Sequence, residues 1–159
     1  MNVTLICMGR LKEDYLRSAC AEYQKRLAGF CRFTVEEIEA ERLPEAPSDA
    51  EIAAALEKEG ERILAKIPRN AYTVALCIEG KQQTSKELAG LLEHIPVQGS
   101  GAAAFVIGSS FGLSDRVKSS AQLKLSMSKM TFPHQLARVM LMEQIYRAYS
   151  IINNRRYHK

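Results

Sequence analysis

The chain has 159 residues, 47% of them apolar and 25% charged, with a net charge of +4. That size suits one core rather than two, and that composition excludes a disordered or fibrous protein. No apolar run approaches the roughly 20 residues that cross a bilayer, and Met1–Met8 has neither a basic head nor a cleavage site, so a cytoplasmic protein is expected.

In chain order, Val3 to Met8 is an apolar run closed by Gly9, and Asp14 to Leu27 shows helical spacing before Gly29. Phe33 to Ile38 alternates as a second strand, and Leu43 to Ser48, with two prolines, is the one obvious linker. Ser48 or Asp49 caps a helix over about 50 to 66. Tyr72 to Ile78 is a buried-type strand expected to end at Gly80, and Thr84 or Ser85 caps the helix that follows. Ala102 to Ile107 is a continuous apolar strand stopping at Gly108. A short polar helix follows from Ser114, and Leu123 to Ser126 is a weak fifth strand. Pro133 fits the first turn of a last helix running to about Ile152, because its missing N–H costs nothing there. Apolar strands alternating with helices predict an α/β domain, a mostly parallel sheet with helices on both faces.

Charge is unevenly placed. Residues 36–61 hold ten carboxylates against Arg42 and Lys58, while residues 116–159 hold nine cations against Glu143. A repelling and an attracting region would orient the chain on a polyanion, although a solvated basic helix explains the second region equally well. Cys7, Cys20, Cys31 and Cys77 are dispersed without a C-x-x-C pair, which fits buried reduced thiols and no metal site.

Ligands of open α/β sheets gather beyond the carboxyl ends of the strands. Three loops qualify: Glu79-Gly80-Lys81, Gly108 to Ser114, and Met127 to His134. Gly108 and Gly112 flank two serines, which lets a ligand approach the main chain, although a serine-capped glycine turn has the same composition. It is neither a phosphate-binding P-loop nor the dinucleotide fingerprint. The third loop places Met127, Met130 and Phe132 among hydroxyls with neither strand nor helix period. It suits a slot for a flat base read by main-chain groups, or a loop buried for packing. His94 and His134 read as structural. The tail from Asn153 to Lys159 combines Arg155 and Arg156 for phosphates, Tyr157 for stacking and His158 for titration near neutrality, though frayed termini are the default.

Together these residues resemble the ribosomal RNA large-subunit methyltransferase H family of the SPOUT superfamily. The resemblance runs from Val3–Ile6 and Gly9-Arg-Leu-Lys12 through Glu22–Leu27 and Glu57–Leu64. It is most specific in Phe105-Val-Ile-Gly108, Ser126–His134 and Tyr157-His158-Lys159. It implies one domain over 1–159 with a tail at 153–159, a C-terminal trefoil knot, and a homodimer. It also implies methylation by S-adenosyl-L-methionine of N3 of a pseudouridine in ribosomal RNA within the ribosome, with no DNA or membrane partner.

By the same likeness Leu76, Gly108 and Met127, Ser128, Lys129, Met130, Thr131 and Phe132 line the cofactor site. Residue chemistry makes His158 the candidate base, Tyr157 the stacking platform and Arg155 the phosphate grip. The family has a second glycine after Gly108 where this chain has Ser109, which would strain the loop if φ there were positive. Two rivals remain: a non-catalytic RNA-binding or ribosome-associated factor with the same fold, and a flavodoxin-like nucleotide enzyme.

Overall fold

The computed structural model describes residues 1–153. Ten elements alternate: β1 (Asn2–Met8), α1 (Asp14–Leu27), β2 (Arg32–Ile38), α2 (Asp49–Lys66), β3 (Tyr72–Gln82), α3 (Ser85–His94), β4 (Ala102–Ile107), α4 (Asp115–Ser120), β5 (Leu123–Ser126) and α5 (His134–Ile152). The strands form one sheet in the order β2-β1-β4-β3-β5, and every pairing is parallel.

Strand periodicity divides the core into two layers. Val3, Leu5 and Cys7 point to one face with Phe105 and Val74, where α1, α3 and α5 cover them through Leu27, Leu92, Leu141 and Ile145. Ile6 and Met8 point to the other face with Ala75 and Val106, where Ile63 of α2 and Val117 of α4 close the smaller layer. Both faces are therefore apolar, which is why these strands read as continuous hydrophobic runs.

Local chemistry sets the helix starts. Ser48 and Thr84 each accept from the main-chain N–H three residues on, and Glu51 and Glu87 return the bond to the cap residue's own N–H. Glu13 gives α1 no side-chain cap; instead Arg17 donates to the Leu11 and Lys12 carbonyls and pairs with Asp14, which ties down the turn after β1. Pro133 occupies the cap position of α5, one residue before the place expected from sequence.

One expectation fails more informatively. Gly80 was expected to stop β3, yet the strand continues to Gln82. Leu76 and Lys81 both register with Leu125, so residues 77–80 bulge around β5. A β-carbon on Gly80 would lie 2.6–2.7 Å from main-chain atoms of Lys124, Leu125 and Ser126. The glycine marks the place where one strand crosses against another main chain.

Candidate functional site

The parallel sheet brings the ends of β3, β4 and β5 to one edge. At the end of β4, Gly108 meets its own loop: a β-carbon there would sit 2.2 Å from the Gly112 carbonyl oxygen. The loop folds back because Gly112 adopts φ of 89°, donates its N–H to the Ser109 carbonyl at 2.9 Å and bridges to Ser109. Among the described residues Asn70 is the only non-glycine with positive φ, so Ser109 enters this turn without left-handed strain. The serine that departs from the family pattern is sterically accommodated.

Beneath that loop lies Glu59 of α2, 3% exposed. Burial pushes its carboxyl above the usual range, against the opposing pull of the Ser109 hydroxyl, the Glu41 main chain and the Arg62 guanidinium. Glu59 Oε2 and Ser109 Oγ are both buried without an aligned hydrogen-bond partner among the described residues. The next residue, Gly60, lets α2 approach closely, since a β-carbon there would meet Ser114 Oγ at 2.6 Å.

After β5, Ser126 Oγ donates to the Ser128 carbonyl at 3.0 Å, and Ser128 Oγ accepts the Met130 N–H at 3.1 Å. These bonds shape the loop from inside. Lys129, Thr131 and Phe132 make no main-chain hydrogen bond among the described residues, which leaves their donors and acceptors available to a ligand edge. Met130 is 74% exposed and Phe132 36%. With Ile78, Phe111 and Leu136, they account for five of the seven exposed large hydrophobic residues in the described chain, all in or beside the bulge of β3 and the loops after β4 and β5.

Leu76, Gly108 and Met127 through Phe132 are thus carried to one edge of the sheet. A cavity of about 400 Å3 behind the third loop is lined by Met127 together with Gln83, Thr84, Leu88, Met140 and Gln144, and sequence inspection missed it because its walls come from α3 and α5. Gln83 Oε1 is buried there without a partner among the described residues. Arg155, Tyr157 and His158 lie outside the described residues. His94 is exposed, whereas burial and the nearby Arg138 hold His134 below the ordinary imidazole range. No group of three or more metal-ligating side chains occurs among the described residues.

The acidic and basic segments do not stand apart: Arg138 pairs with Glu37, and Arg116 with Glu61. Lys118 pairs with Glu79 and Arg147 with Glu143. Four of the six described cations of the basic segment are thus paired, Arg138 inside the fold and Arg116 at the surface. Lys124 and Lys129 have no carboxylate within ion-pair distance among the described residues.

A parallel α/β sheet with a bulge in β3 and glycine- and methionine-bearing loops after β4 and β5 defines an α/β domain of the kind that takes ligands at its strand ends, and known proteins narrow the class. A family model described as "Predicted SPOUT methyltransferase" matches residues 1–158. Among solved structures, a probable methyltransferase from Bordetella pertussis superposes with a TM-score of 0.57 at 18% identity, covering 92% of this chain and 95% of that one. A tRNA (m1G37) methyltransferase from Aquifex aeolicus gives 0.52 at 12%, covering 92% and 70%. At such identities these two show the fold alone.

The curated relatives are much nearer. Proteins named "Ribosomal RNA large subunit methyltransferase H" are 47% identical in Bacillus pumilus, 50% in Exiguobacterium sibiricum and 45% in Clostridioides difficile, each over 100% of both chains. The chain belongs to the SPOUT methyltransferases and, within them, to the ribosomal RNA large subunit methyltransferase H family. It is an enzyme that methylates ribosomal RNA.

Proposed function

We propose that this chain transfers a methyl group from S-adenosyl-L-methionine to N3 of a pseudouridine in large-subunit ribosomal RNA, in the cytoplasm and on assembled ribosomes. The carrying observation is the full-length identity of 45–50% to relatives bearing that enzyme name, with no part of either chain left uncovered. The chain acts as one domain over 1–159. No helix among the described residues is long and apolar enough to cross a membrane.

Leu76, Gly108 and Met127, Ser128, Lys129, Met130, Thr131 and Phe132 would hold the cofactor. Their chemistry fits a nucleoside: unpartnered main-chain groups of Lys129, Thr131 and Phe132 can read an adenine edge, and Met130 and Phe132 supply apolar surface for its faces. When bound, the cofactor supplies an electrophilic methyl on a sulfonium.

The protein's part is to fix the acceptor nitrogen in line with that methyl, because orientation alone removes several kcal/mol from such a barrier. Tyr157 stacks on the target base, Arg155 grips phosphate, and His158 takes the N3 proton. Exposed Ile78, Phe111, Met130, Phe132 and Leu136 support a homodimer that covers them, with the tail of one copy completing the site of the other. The pairing of Leu125 with both Leu76 and Lys81 wraps residues 77–80 of β3 around β5, a close passage compatible with a trefoil knot.

The test is incubation of ribosomes lacking the modification with purified protein and labelled cofactor, then nucleoside analysis. N3-methylpseudouridine is expected, and label in any other nucleoside, or in none, refutes the assignment. His158→Ala should lower turnover at saturating ribosome by about 10²–10⁴-fold, the usual worth of a general base. Unchanged turnover removes His158 from that role.

A further inference from the structure

A second cavity, of about 380 Å3, opens at the carboxyl ends of β1 and β2, between the turn after Gly9, α1 and α5. None of the residues proposed to hold the cofactor lines it. Its wall includes Arg10, Arg17, Gln24, Glu37 and Arg138. The three guanidiniums are differently employed.

Arg138, 3% exposed, forms a buried wall: Nη1 donates to Glu37 Oε2 at 2.7 Å and Nη2 to the Gly9 carbonyl at 2.8 Å. Its third donor, Nε, is buried with no acceptor among the described residues. Arg17 is committed to the Leu11 and Lys12 carbonyls and to Asp14. Arg10 is exposed and makes no ion pair or side-chain hydrogen bond among the described residues, and neither does Lys12 two residues on.

Glu37 is neutralised by Arg138, and Arg17 by Asp14, so the uncompensated charge among the lining residues belongs to Arg10. A concave site with an exposed, unpaired guanidinium at its rim and net positive charge suits an anionic oxygen. β1 lies between β2 and β4, with Cys7 opposite Ile107, so the turn carrying Arg10 is the lateral neighbour of the Gly108 loop. The volume suits one sugar-phosphate unit rather than a base pair or a helix.

We propose that this cavity seats a backbone phosphate of the RNA strand beside the methylated nucleotide, with Arg10 as the rim cation and the Arg138–Glu37 pair as its fixed wall. The proposal rests on the ribosomal RNA reading above and adds a place where the strand is held. Arg10 sets the register of the RNA on the enzyme through charge, without reading a base.

The experiment measures labelled methyl transfer to ribosomes lacking the modification, across a salt series, for wild type, Arg10→Ala, Arg10→Glu, Arg10→Lys and Lys58→Ala. Lys58 lies on acidic α2, away from the cavity, and serves as the charge-loss control. Arg10→Ala should raise the half-saturating ribosome concentration about five- to tenfold, Arg10→Glu more, and Arg10→Lys should restore most of it. The log–log salt slope should fall by about 0.7–0.9 on losing one phosphate contact. Calorimetric affinity for S-adenosyl-L-methionine should match wild type in all four variants, which separates RNA seating from cofactor binding.

An Arg10→Glu enzyme with wild-type half-saturation and wild-type salt slope overturns the proposal while leaving the methylation reading intact. So does an Arg10→Ala effect matched by Lys58→Ala. No transfer by the wild type would sink the methylation reading and this proposal together.

Discussion

Replacing Arg138 with alanine would remove a buried cation that joins three separate parts of the chain. Its guanidinium sits in the second turn of α5 and donates both to Glu37 at the end of β2 and to the Gly9 carbonyl beyond β1. Truncating one partner of a buried ion pair costs about 3–5 kcal/mol when the other charge stays buried. Here Glu37 is 39% exposed and can rehydrate, so the Coulomb part deserves discounting to about 1–2 kcal/mol.

The Gly9 carbonyl loses its charged donor, worth about 1–2 kcal/mol more, and the aliphatic stem leaves a void. A total near 3 kcal/mol is a large share of the 5–15 kcal/mol that holds a typical domain together. Urea unfolding of wild type and variant gives the number directly. Arg138→Lys should recover less than half of the loss, since one ammonium cannot span both acceptors. In a double-mutant cycle with Glu37→Gln, the coupling should be about 1–2 kcal/mol. A loss below about 1 kcal/mol for Arg138→Ala, or negligible coupling, would refute the view that this clamp fixes α5 against the strand ends.

Three further outcomes follow from close approach, burial and charge. Gly80→Ala should cost more than about 3 kcal/mol or abolish soluble folding, because its β-carbon would meet the main chain of β5 rather than a side chain that can yield; a melting temperature within 2 °C of wild type, on the scale of about 2–4 °C per kcal/mol, would contradict the strand crossing. Glu59 has its pKa raised on folding, so its contribution favours the fold below the carboxylate's unfolded pKa and is lost as pH rises through the folded value. Glu59→Gln should therefore raise the melting temperature relative to wild type at pH 8, with the difference shrinking toward pH 4, and a difference that grows on acidification would reverse the sign of the argument. Burial pushes the Cys7 thiol up to about 12, so iodoacetamide at pH 8 should alkylate Cys20, Cys31 or Cys77 in the native protein and reach Cys7 only on unfolding; peptide mass spectrometry showing Cys7 modified first would exclude a buried β1.

Local signals carried far. The bounds of α1 at Asp14–Leu27 and of β5 at Leu123–Ser126 were legible because apolar period and glycine punctuation are properties of neighbouring residues. The caps were narrowed from sequence to Ser48 or Asp49 and to Thr84 or Ser85, and the structure picks Ser48 and Thr84, each closing a box with the glutamate three residues on. Family likeness, a property of the whole string, picked out Leu76, Gly108 and the Met127–Phe132 loop, and the sheet delivers all of them to one edge.

What the string could not show depends on residues distant along the chain. Gly80 reads as a stop, since only the passage of β5 against it reveals a glycine required by another main chain inside a continuing strand. Arg138 reads as one more surface cation in a basic segment, since its partner Glu37 lies 101 residues earlier and only folding buries the pair. The two cavities have walls drawn from helices and strand ends far apart in sequence. Periodicity and capping are decided by energies within a turn or a strand, so one dimension records them; burial, charge pairing and close main-chain approach exist only between segments, and the tertiary structure alone decided them here.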